Sequence, residues 1–409
     1  MAVTDDIAVQ SAAADVVSAA RALFEEARRR RRRRHLWLAA AIVLVGGSVA
    51  GTLVTVGSHS PSRPTPAATT ARAEGVRSIR SLTFAGSFAP QQVVSAAGRI
   101  WLVGSTEPED RHCAIEEIDP VSLRTTTFSI PACGTYVAVG KGRIFLADGV
   151  FTGATDTTAF HIESFDVATG TAVVMAPVAI ATTGTGYAHM ALTFAGGSLW
   201  LNPWSAKVLE ISPPTGAVIR TITGTAFSDG GHPVIAAAAR GAWLTGGADS
   251  PLVIDRLEPL STTPVVVYRG SGPSSILWLS TVGNRMWAEV GTYGDGGIVV
   301  ATRLVAFTTS GRKVLETPPE RLGDLPVVGA GGQLWTVGGG STRCTGPQRL
   351  WRIDRRTGTS VAVATLPSPV VPCLVATDGS EIAAVGDHVF VLDPTETSGP
   401  GSVLYRITS

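Results

Sequence analysis

The sequence from residue 76 onward predicts an all-β fold, a seven-bladed β-propeller, on three observations. A phrase recurs seven times with a period of about 45 residues. Each copy holds short apolar runs rich in Val, Ile and Thr, separated by turns that contain Gly or Pro. No amphipathic helix of useful length follows residue 76. A repeat of this period with about four short strands is typical of propeller blades stacked around an axis.

The first half of the phrase is a glycine followed closely by an aromatic residue. Glycine supplies the tight turn between the first and second strands, because a positive φ has no steric cost there. The aromatic side chain on the second strand is large and flat enough to fill the wedge between neighbouring blades. We assign the seven copies to Gly98–Trp101, Gly142–Phe145, Gly197–Trp200, Gly241–Trp243, Gly283–Trp287, Gly332–Trp335 and Gly379–Ile382.

The second half of the phrase resembles Asp-x-x-Thr-Gly, as in Asp166–Gly170 and Asp354–Gly358. We predict a hairpin turn in which the carboxylate accepts hydrogen bonds from local backbone N–H groups and the glycine is left-handed. The chain ends after a third-strand segment, Leu404–Ile407, whereas Ser78–Ser87 precedes the first full unit. We therefore expect this N-terminal strand to become the outer strand of the last blade and to close the ring.

The repeated phrase resembles the repeats of bacterial extracytoplasmic seven-bladed propellers. This broad WD40/YVTN-like group includes YVTN/NHL-type and quinoprotein-like repeats and the streptogramin lyase, and the resemblance covers roughly residues 76–409. Quinoprotein repeats carry a tryptophan on the fourth strand, but the fourth-strand segments here have none, so we expect no cofactor. The lyase resemblance implies a metal-assisted His/Glu elimination site, and its histidine motif matches no position in this sequence.

Three segments precede the predicted propeller. Residues 1–35 form a short tail that contains seven consecutive arginines, Arg28–Arg34. Residues 36–57 contain Leu36–Val56, 21 residues without a charge, which is about the length that crosses a bilayer as a helix. Residues 58–75 are rich in Pro, Ser, Thr and Ala, which indicates an extended linker between this helix and the propeller at 76–409.

The arginines before the apolar segment predict its orientation. Because cytoplasmic flanks are enriched in Lys and Arg, we expect a single-pass cell-membrane protein with a cytoplasmic N-terminus and an extracytoplasmic propeller. The alternative is a cleaved signal peptide with Ser48–Ala50 as its cleavage site. The tail either docks on a cytoplasmic partner or extends the anchor helix with its arginines at the lipid headgroups.

The net charge bears on nucleic-acid binding, and the sequence motifs bear on catalysis. The formal net charge of +1 argues against a general nucleic-acid binder. The motifs G-x-S-x-G, H-E-x-x-H and G-x-x-x-x-G-K are absent, and so is an EF-hand loop, so the sequence offers no catalytic signature.

One face of the predicted ring is the expected binding face. The links from second to third strand and from fourth to first strand emerge there, and they vary in length, as binding loops on a rigid scaffold do. All four cysteines map to these links, which fits an oxidising exterior. Repeat symmetry predicts two disulfides, Cys113–Cys133 and Cys344–Cys373.

Three polar residues are candidate ligand-binding groups at the mouth of the central channel. His189 and His232 each lie eleven residues before their unit's tryptophan, and Asp324 has the same offset in the sixth unit. All three should lie near the start of an innermost strand. There they could bind a divalent metal or shuttle a proton, or they could be ordinary hydrated rim residues. The acidic loop Ser105–Cys113, with His112, is either a solvated loop or a cation site, and we assign no metal to it.

The leading hypothesis is a membrane-anchored propeller that acts as a binding or sensory module for an extracytoplasmic protein, glycan or small ligand. The alternative is a lyase or hydrolase with a metal-assisted site at the channel mouth. The lack of catalytic motifs favours the first hypothesis.

Overall fold

A computed structural model provides the structure of the chain. It describes residues 76–409, apart from 85–87, 106–112, 132–133, 135, 153–156, 182–189, 204–206, 224–233, 239–240, 246–252, 259–260, 271–273, 294–298, 319–325, 339–347, 367–380 and 394–401. The tail, the apolar segment Leu36–Val56 and the linker lie outside the described residues. Within the described part of the chain, no helix is long and apolar enough to cross a membrane.

The described residues form 29 strands, which we label β1 to β29 in chain order. The first strand is β1 (Ser78–Thr83). Blade 1 comprises β2 (Ala89–Ala96), β3 (Arg99–Ser105), β4 (Cys113–Ile118) and β5 (Thr125–Ile130). Blade 2 comprises β6 (Tyr136–Gly140), β7 (Arg143–Thr152), β8 (Thr157–Asp166), β9 (Thr171–Val174) and β10 (Val178–Ala181). Blade 3 comprises β11 (Met190–Ala195), β12 (Ser198–Pro203), β13 (Lys207–Ile211) and β14 (Val218–Thr223).

The remaining blades follow the same pattern. Blade 4 comprises β15 (Ile235–Ala237), β16 (Ala242–Thr245), β17 (Val253–Leu257) and β18 (Val265–Arg269). Blade 5 comprises β19 (Ser274–Val282), β20 (Arg285–Tyr293), β21 (Val299–Thr308) and β22 (Lys313–Glu316). Blade 6 comprises β23 (Val328–Ala330), β24 (Gln333–Gly338), β25 (Arg349–Ile353) and β26 (Ser360–Thr365). Blade 7 contains β27 (Ile382–Val385), β28 (His388–Asp393) and β29 (Val403–Thr408).

Seven antiparallel sheets form a closed ring. In blades 1, 3, 4, 5 and 6 the four strands pair in sequence order, whereas in blade 2 both β9 and β10 pair with β8. The seventh sheet has the order β27-β28-β29-β1, with Ser78 paired to Thr408 and Thr83 paired to Val403. The N-terminal strand is therefore the outer strand of the last blade, which confirms the predicted closure. Innermost strands of neighbouring blades contact one another around the ring, from β2 and β6 to β27 and β2.

Seven apolar clusters hold the blades together, one at each junction. Every cluster contains residues of two neighbouring blades and one aromatic residue from the second strand of the earlier blade. The cluster with Phe390 joins blade 7 to blade 1, so the ring has no open junction. The predicted wedges are confirmed at Trp101, Phe145, Trp200, Trp243, Trp287 and Trp335, all of them at most 1% exposed.

The seventh wedge is Phe390, so its assignment to Ile382 was wrong. Ile382 lies on β27, the innermost strand, whereas Phe390 lies on β28. The glycine turn of this blade is at Gly386, which has φ +58°, and the next residue, Asp387, does not have a positive φ. In blade 1, by contrast, both turn residues have positive φ and the glycine comes second. A glycine-first turn moves the aromatic residue to the fourth position after the glycine.

The third-to-fourth turns form as predicted. Oδ1 of Asp354 accepts hydrogen bonds from the amides of Arg356 and Thr357, each at 2.8 Å, and the amide of Gly358 donates to the Asp354 carbonyl at 2.9 Å. Gly358 has φ +74°. In blade 1 the same place is taken by Leu123, which has φ +59°. An aspartate acceptor and a left-handed residue therefore recur in the turns of blades 1, 2 and 6.

Candidate functional site: the two faces of the ring

Strand order separates the connections into two faces. The first-to-second and third-to-fourth turns lie on one face, which we call the short-turn face. Six of the seven first-to-second turns are two residues long. The second-to-third and fourth-to-first links lie on the opposite face, which we call the variable face; they range from the short link 204–206 to the long link 366–381. The predicted difference in loop variation is therefore present in the fold.

The predicted ligand-binding residues of the variable face lie outside the described residues. These are His189, His232 and Asp324. In the chain they precede the innermost strands β11, β15 and β23, which begin at Met190, Ile235 and Val328. Their position at the channel mouth stays a prediction. Among the described residues, no group of three His, Cys, Asp or Glu residues is arranged to hold a metal ion.

Only one of the four cysteines lies among the described residues. Cys113 is buried at the start of β4, packs in the cluster between blades 1 and 2, and is not a free thiol. Cys133, Cys344 and Cys373 lie outside the described residues. The pairings Cys113–Cys133 and Cys344–Cys373 therefore stay predictions.

Two hairpins are longer than the others on the variable face. The second and third strands of blade 2 each have ten residues, and those of blade 5 have nine and ten. In blade 5 the ladder continues to the pair Tyr293 and Val299. Val300, on the extended part of β21, is 51% exposed. The ladders of these two hairpins therefore extend further toward the variable face than those of the other blades.

The short-turn face carries arginines that reach across blade junctions. In blade 7, Nη1 of Arg406 donates to the carbonyl of Pro120 in blade 1 at 2.9 Å. In blade 4, Nη1 of Arg256 donates to the carbonyl of Thr309 in blade 5 at 2.9 Å. In each case the acceptor lies in the third-to-fourth turn of the next blade. Charge-assisted hydrogen bonds of this kind are stronger than neutral ones, so they reinforce the apolar clusters.

In blades 1 to 4, four arginines near this face are paired with acids, whereas Arg124 of blade 1 has no carboxylate within ion-pair distance among the described residues. Arg143 lies 3.2 Å from Asp166, and Arg220 lies 2.6 Å from Glu210. Arg220 also lies over the Trp200 ring, 5.5 Å from its centroid. The full set of pairs is Arg99 with Glu117 and Asp119, Arg143 with Asp166, Arg220 with Glu210, and Arg256 with Glu258.

Blades 5 and 6 differ on the same face. None of their arginines near this face lies within ion-pair distance of a described carboxylate. We call this set the basic sector, and its members are Arg285, Arg312, Arg352, Arg355 and Arg356. The one acid among them is Asp354, whose carboxylate accepts the turn amides. Those hydrogen bonds, with a smaller contribution from Arg356, lower its pKa.

Two arginines of the basic sector join blades 5 and 6. Nη1 of Arg285 donates to the carbonyl of Arg355 at 2.7 Å, and Nη2 of Arg355 donates to the carbonyl of Val282 at 3.3 Å. Two guanidinium groups are thus held at one junction by neutral acceptors. The repeated phrase by itself does not reveal this sector, although the turn segments Gly311–Lys313 and Asp354–Arg356 each contain two basic residues.

A buried carboxyl group lies at the junction of blades 3 and 4. Asp255 is 1% exposed and pairs with Leu244 on β16, which packs in the cluster between these blades. Burial raises the pKa of Asp255 to about 6, and Arg269 opposes this shift only in part. Glu116 holds the equivalent place in blade 1. Burial raises its pKa as well, although it accepts a hydrogen bond from Thr127 at 3.1 Å.

Comparison with known proteins adds little to this description. No family model and no curated protein matches the chain. Among solved structures, the crystal structure of RRP9 WD40 repeats matches with 12% identity and TM-score 0.48 over 83% of this chain and 99% of that one. A chain of the mitotic checkpoint complex matches with 10% identity and TM-score 0.48, covering 88% of this chain and 99% of that one. U3-55K matches with 12% identity and TM-score 0.47, covering 83% of this chain and all of that one. The assignment to the class of seven-bladed β-propellers rests on the sheet topology itself.

Proposed function

We propose that the chain is a membrane-anchored, extracytoplasmic propeller that acts as a binding or sensory module for a protein, glycan or small ligand. The observation that carries this proposal is the contrast between the two faces. Seven apolar junctions fix the disc, and six of the seven first-to-second turns on the short-turn face have two residues. Length variation is concentrated on the variable face. Binding residues are commonly found on loops that a rigid scaffold positions.

The membrane anchor in this proposal rests on the sequence. Leu36–Val56 has the length and apolar composition of a single membrane-spanning helix, and seven arginines lie directly before it. The linker 58–75, in an extended conformation of about 3 Å per residue, would let the propeller reach up to about 50 Å from the bilayer. The tail at 1–35 would then be available to a cytoplasmic partner.

The anchoring part is tested on the full chain in its native membrane. We expect the chain to stay with the membrane after extraction at alkaline pH, and an added protease to cleave the propeller only from the extracytoplasmic side. Release of a shortened chain into the soluble fraction would instead indicate the signal peptide with cleavage near Ser48–Ala50.

The binding part is tested by site-specific photocrosslinking in the same membranes. A crosslinking amino acid replaces Val300, on the long hairpin of the variable face, or Val361, on the outer strand β26. The two valines are 51% and 49% exposed, so they form a matched pair. We expect discrete adducts from position 300 and none from position 361. Equal adducts from both positions, or none from either, would contradict a binding role for this hairpin.

A further inference from the structure

We infer that the basic sector of the short-turn face docks on an anionic lipid bilayer surface. The inference rests on the proposed membrane anchor and adds the orientation of the disc, with the short-turn face toward the bilayer and the variable face away from it. Three features of the described residues carry it: unpaired charge, the place where the chain enters the propeller, and the local excess of cations over acids.

The first feature is the charge pairing. On the same face, four arginines of blades 1 to 4 have carboxylate partners, whereas the isolated Arg124 of blade 1 and the five arginines of the basic sector have none within ion-pair distance among the described residues. Arg312 and Arg356 are exposed, and Arg285, Arg352 and Arg355 are partly buried. Five guanidinium groups share one nearby carboxylate, that of Asp354, so positive charge is in excess and an external anion lowers the free energy of this arrangement.

The second feature is the entry point of the chain. The outer strand β1 begins at Ser78, which pairs with Thr408 at the end of β29. Third strands end on the short-turn face, so the chain that precedes β1 arrives on that face, where the amide of Arg77 donates to the Thr408 carbonyl at 2.9 Å. Blade 7 lies next to blade 6. The segment leading to the predicted anchor therefore meets the disc at blade 7, which lies between blade 6 and blade 1. This face of blade 7 presents both exposed Arg77 and exposed Asp387.

The third feature decides the chemical class of the partner. The sector spans turns of two blades and includes one acid, Asp354, whose carboxylate already accepts turn amides. A surface of many phosphate groups can engage several separated guanidiniums at once. Basic residues near an anionic leaflet are attracted to it over about a Debye length, roughly 10 Å at 0.1 M salt. A tethered disc is held within reach of such a surface, so weak contacts at several arginines add up.

The test uses the full chain reconstituted in nanodiscs. One set contains only phosphatidylcholine and the other also contains phosphatidylglycerol, an anionic lipid that attracts basic clusters to a leaflet. Phenylglyoxal labels accessible arginines, and mass spectrometry gives the rate at each site. We expect Arg312 and Arg356 to react at least threefold more slowly in the anionic discs. Arg124, exposed on the same face of blade 1, should react at one rate in both. High salt should remove the difference.

Two charge-reversal variants complete the test. Arg312→Glu/Arg356→Glu should remove the protection of Arg352 in anionic discs. The matched control Arg124→Glu/Lys141→Glu changes the net charge equally on the same face and should leave Arg312 and Arg356 protected. Equal labelling of the sector in both kinds of disc would overturn the inference. Protection of the sector by polyphosphate or nucleic acid, but not by anionic discs, would also overturn the inference. The sector would then bind an anionic polymer rather than a bilayer.

The outcomes separate this inference from the proposed anchor. A chain that stays in the discs at alkaline pH but shows no protection retains the anchor and loses the docking surface. A chain that leaves the discs contradicts the anchor. Its sedimentation with added vesicles of the same anionic composition, abolished by salt and by Arg312→Glu/Arg356→Glu, would then support the docking surface without the anchor. Failure to sediment would remove both.

Discussion

The junction between blades 3 and 4 and the junction between blades 5 and 6 use the same apolar wedge but different polar groups. Trp200 and Trp287 are both buried, and each packs against the next blade. The indole N–H of Trp200 donates to the carbonyl of Ala195 at 3.1 Å. The indole N–H of Trp287 has no hydrogen-bond partner among the described residues. Its equivalent acceptor, the carbonyl of Val282, instead receives Nη2 of Arg355.

The arginines at these two junctions differ in the same way. Arg220 contacts both Glu210 and the carbonyl of Ser261 in the next blade, so its charge is neutralised where it acts. Arg285 reaches the carbonyl of Arg355 in the next blade with no described carboxylate beside it. The comparison teaches that the wedge shape is common to the ring, while the polar groups around it differ and leave net positive charge at one junction.

The largest effect is expected from removing either wedge. Trp200→Ala and Trp287→Ala should each lower the free energy of unfolding by about 3–5 kcal/mol, because a fully buried ring leaves a cavity between two blades. Urea denaturation followed by circular dichroism measures the change. Trp351, a partly buried tryptophan on β25, serves as the control, and Trp351→Ala should cost clearly less. Equal losses in the free energy of unfolding for Trp351→Ala and Trp200→Ala would show that the wedge position contributes no more to stability than a partly buried one.

The next largest effect is a pH dependence of stability that arises from Asp255 at the junction of blades 3 and 4. The pKa of Asp255 is raised to about 6 in the folded protein, so the folded state holds a proton that the unfolded state releases near pH 4. Stability should therefore fall as pH rises from about 4 to about 6, by up to about 3 kcal/mol, and stay lower above that range. Asp255→Asn should remove this slope and raise the midpoint of unfolding at pH 7.

Asp354 provides a control, because its contribution to stability changes with pH in the opposite direction. Turn amides lower the pKa of Asp354 in the folded state, so its contribution is present at neutral pH and disappears as pH falls through its folded pKa. Asp354→Asn should therefore destabilise the protein at pH 7 and not at low pH. Unfolding midpoints measured from pH 3 to pH 8 test both variants. If the Asp255→Asn variant keeps the parental slope of stability against pH between pH 4 and 6, another group causes that slope.

A smaller effect isolates the indole hydrogen bond. Trp200→Phe loses ring volume and the hydrogen bond to Ala195, whereas Trp287→Phe loses ring volume alone. We expect the first substitution to cost about 1 kcal/mol more than the second, the usual net value of one hydrogen bond. The difference between the two urea midpoints measures this. Identical costs would mean that the bond at Trp200 adds no net stability.

The smallest effect tests the arginine link at the junction of blades 5 and 6. Arg355→Ala removes the donor to the Val282 carbonyl, and we expect a loss of about 1 kcal/mol or less. Arg356→Ala, in the neighbouring exposed position, should leave stability unchanged. Hydrogen exchange at the ends of β19 and β20 should accelerate in the first variant only. Faster exchange in both variants would point to a general effect of removing charge.

Local sequence chemistry was sufficient for much of the fold. The period predicted seven units, and the unpaired third strand at the end of the chain predicted the closing role of β1. The Asp-x-x-Thr-Gly turns and six of the seven wedges follow from turn preferences and from the size of aromatic side chains. The seventh wedge was missed because Gly379–Ile382 has the spacing of Gly98–Trp101 and was chosen in place of the glycine-first turn Gly386–Asp387. Its spacing to Phe390 equals that of Gly283 to Trp287 rather than that of Gly98 to Trp101.

The candidate sites were harder to predict from the sequence than the fold. His189, His232 and Asp324 were chosen by their offset from a wedge, and they lie outside the described residues. The basic sector was overlooked because Arg143 and Arg285 occupy the same place in the phrase, directly after a glycine turn. Nothing in that local pattern shows that Arg143 meets Asp166 while Arg285 meets only a carbonyl oxygen.

Turn chemistry and aromatic spacing act over a few residues and recur with the repeat period, so the linear chain already specified the number of blades, the strand order in all but blade 2 and the closure of the ring. Charge pairing and burial depend on groups brought together across strands and across junctions. Arg220 meets Glu210 because β13 and β14 pair within blade 3, whereas the burial of Asp255 depends on packing between neighbouring blades. An electrostatic interaction depends on distance in space and on the surrounding dielectric, and neither is encoded in sequence separation.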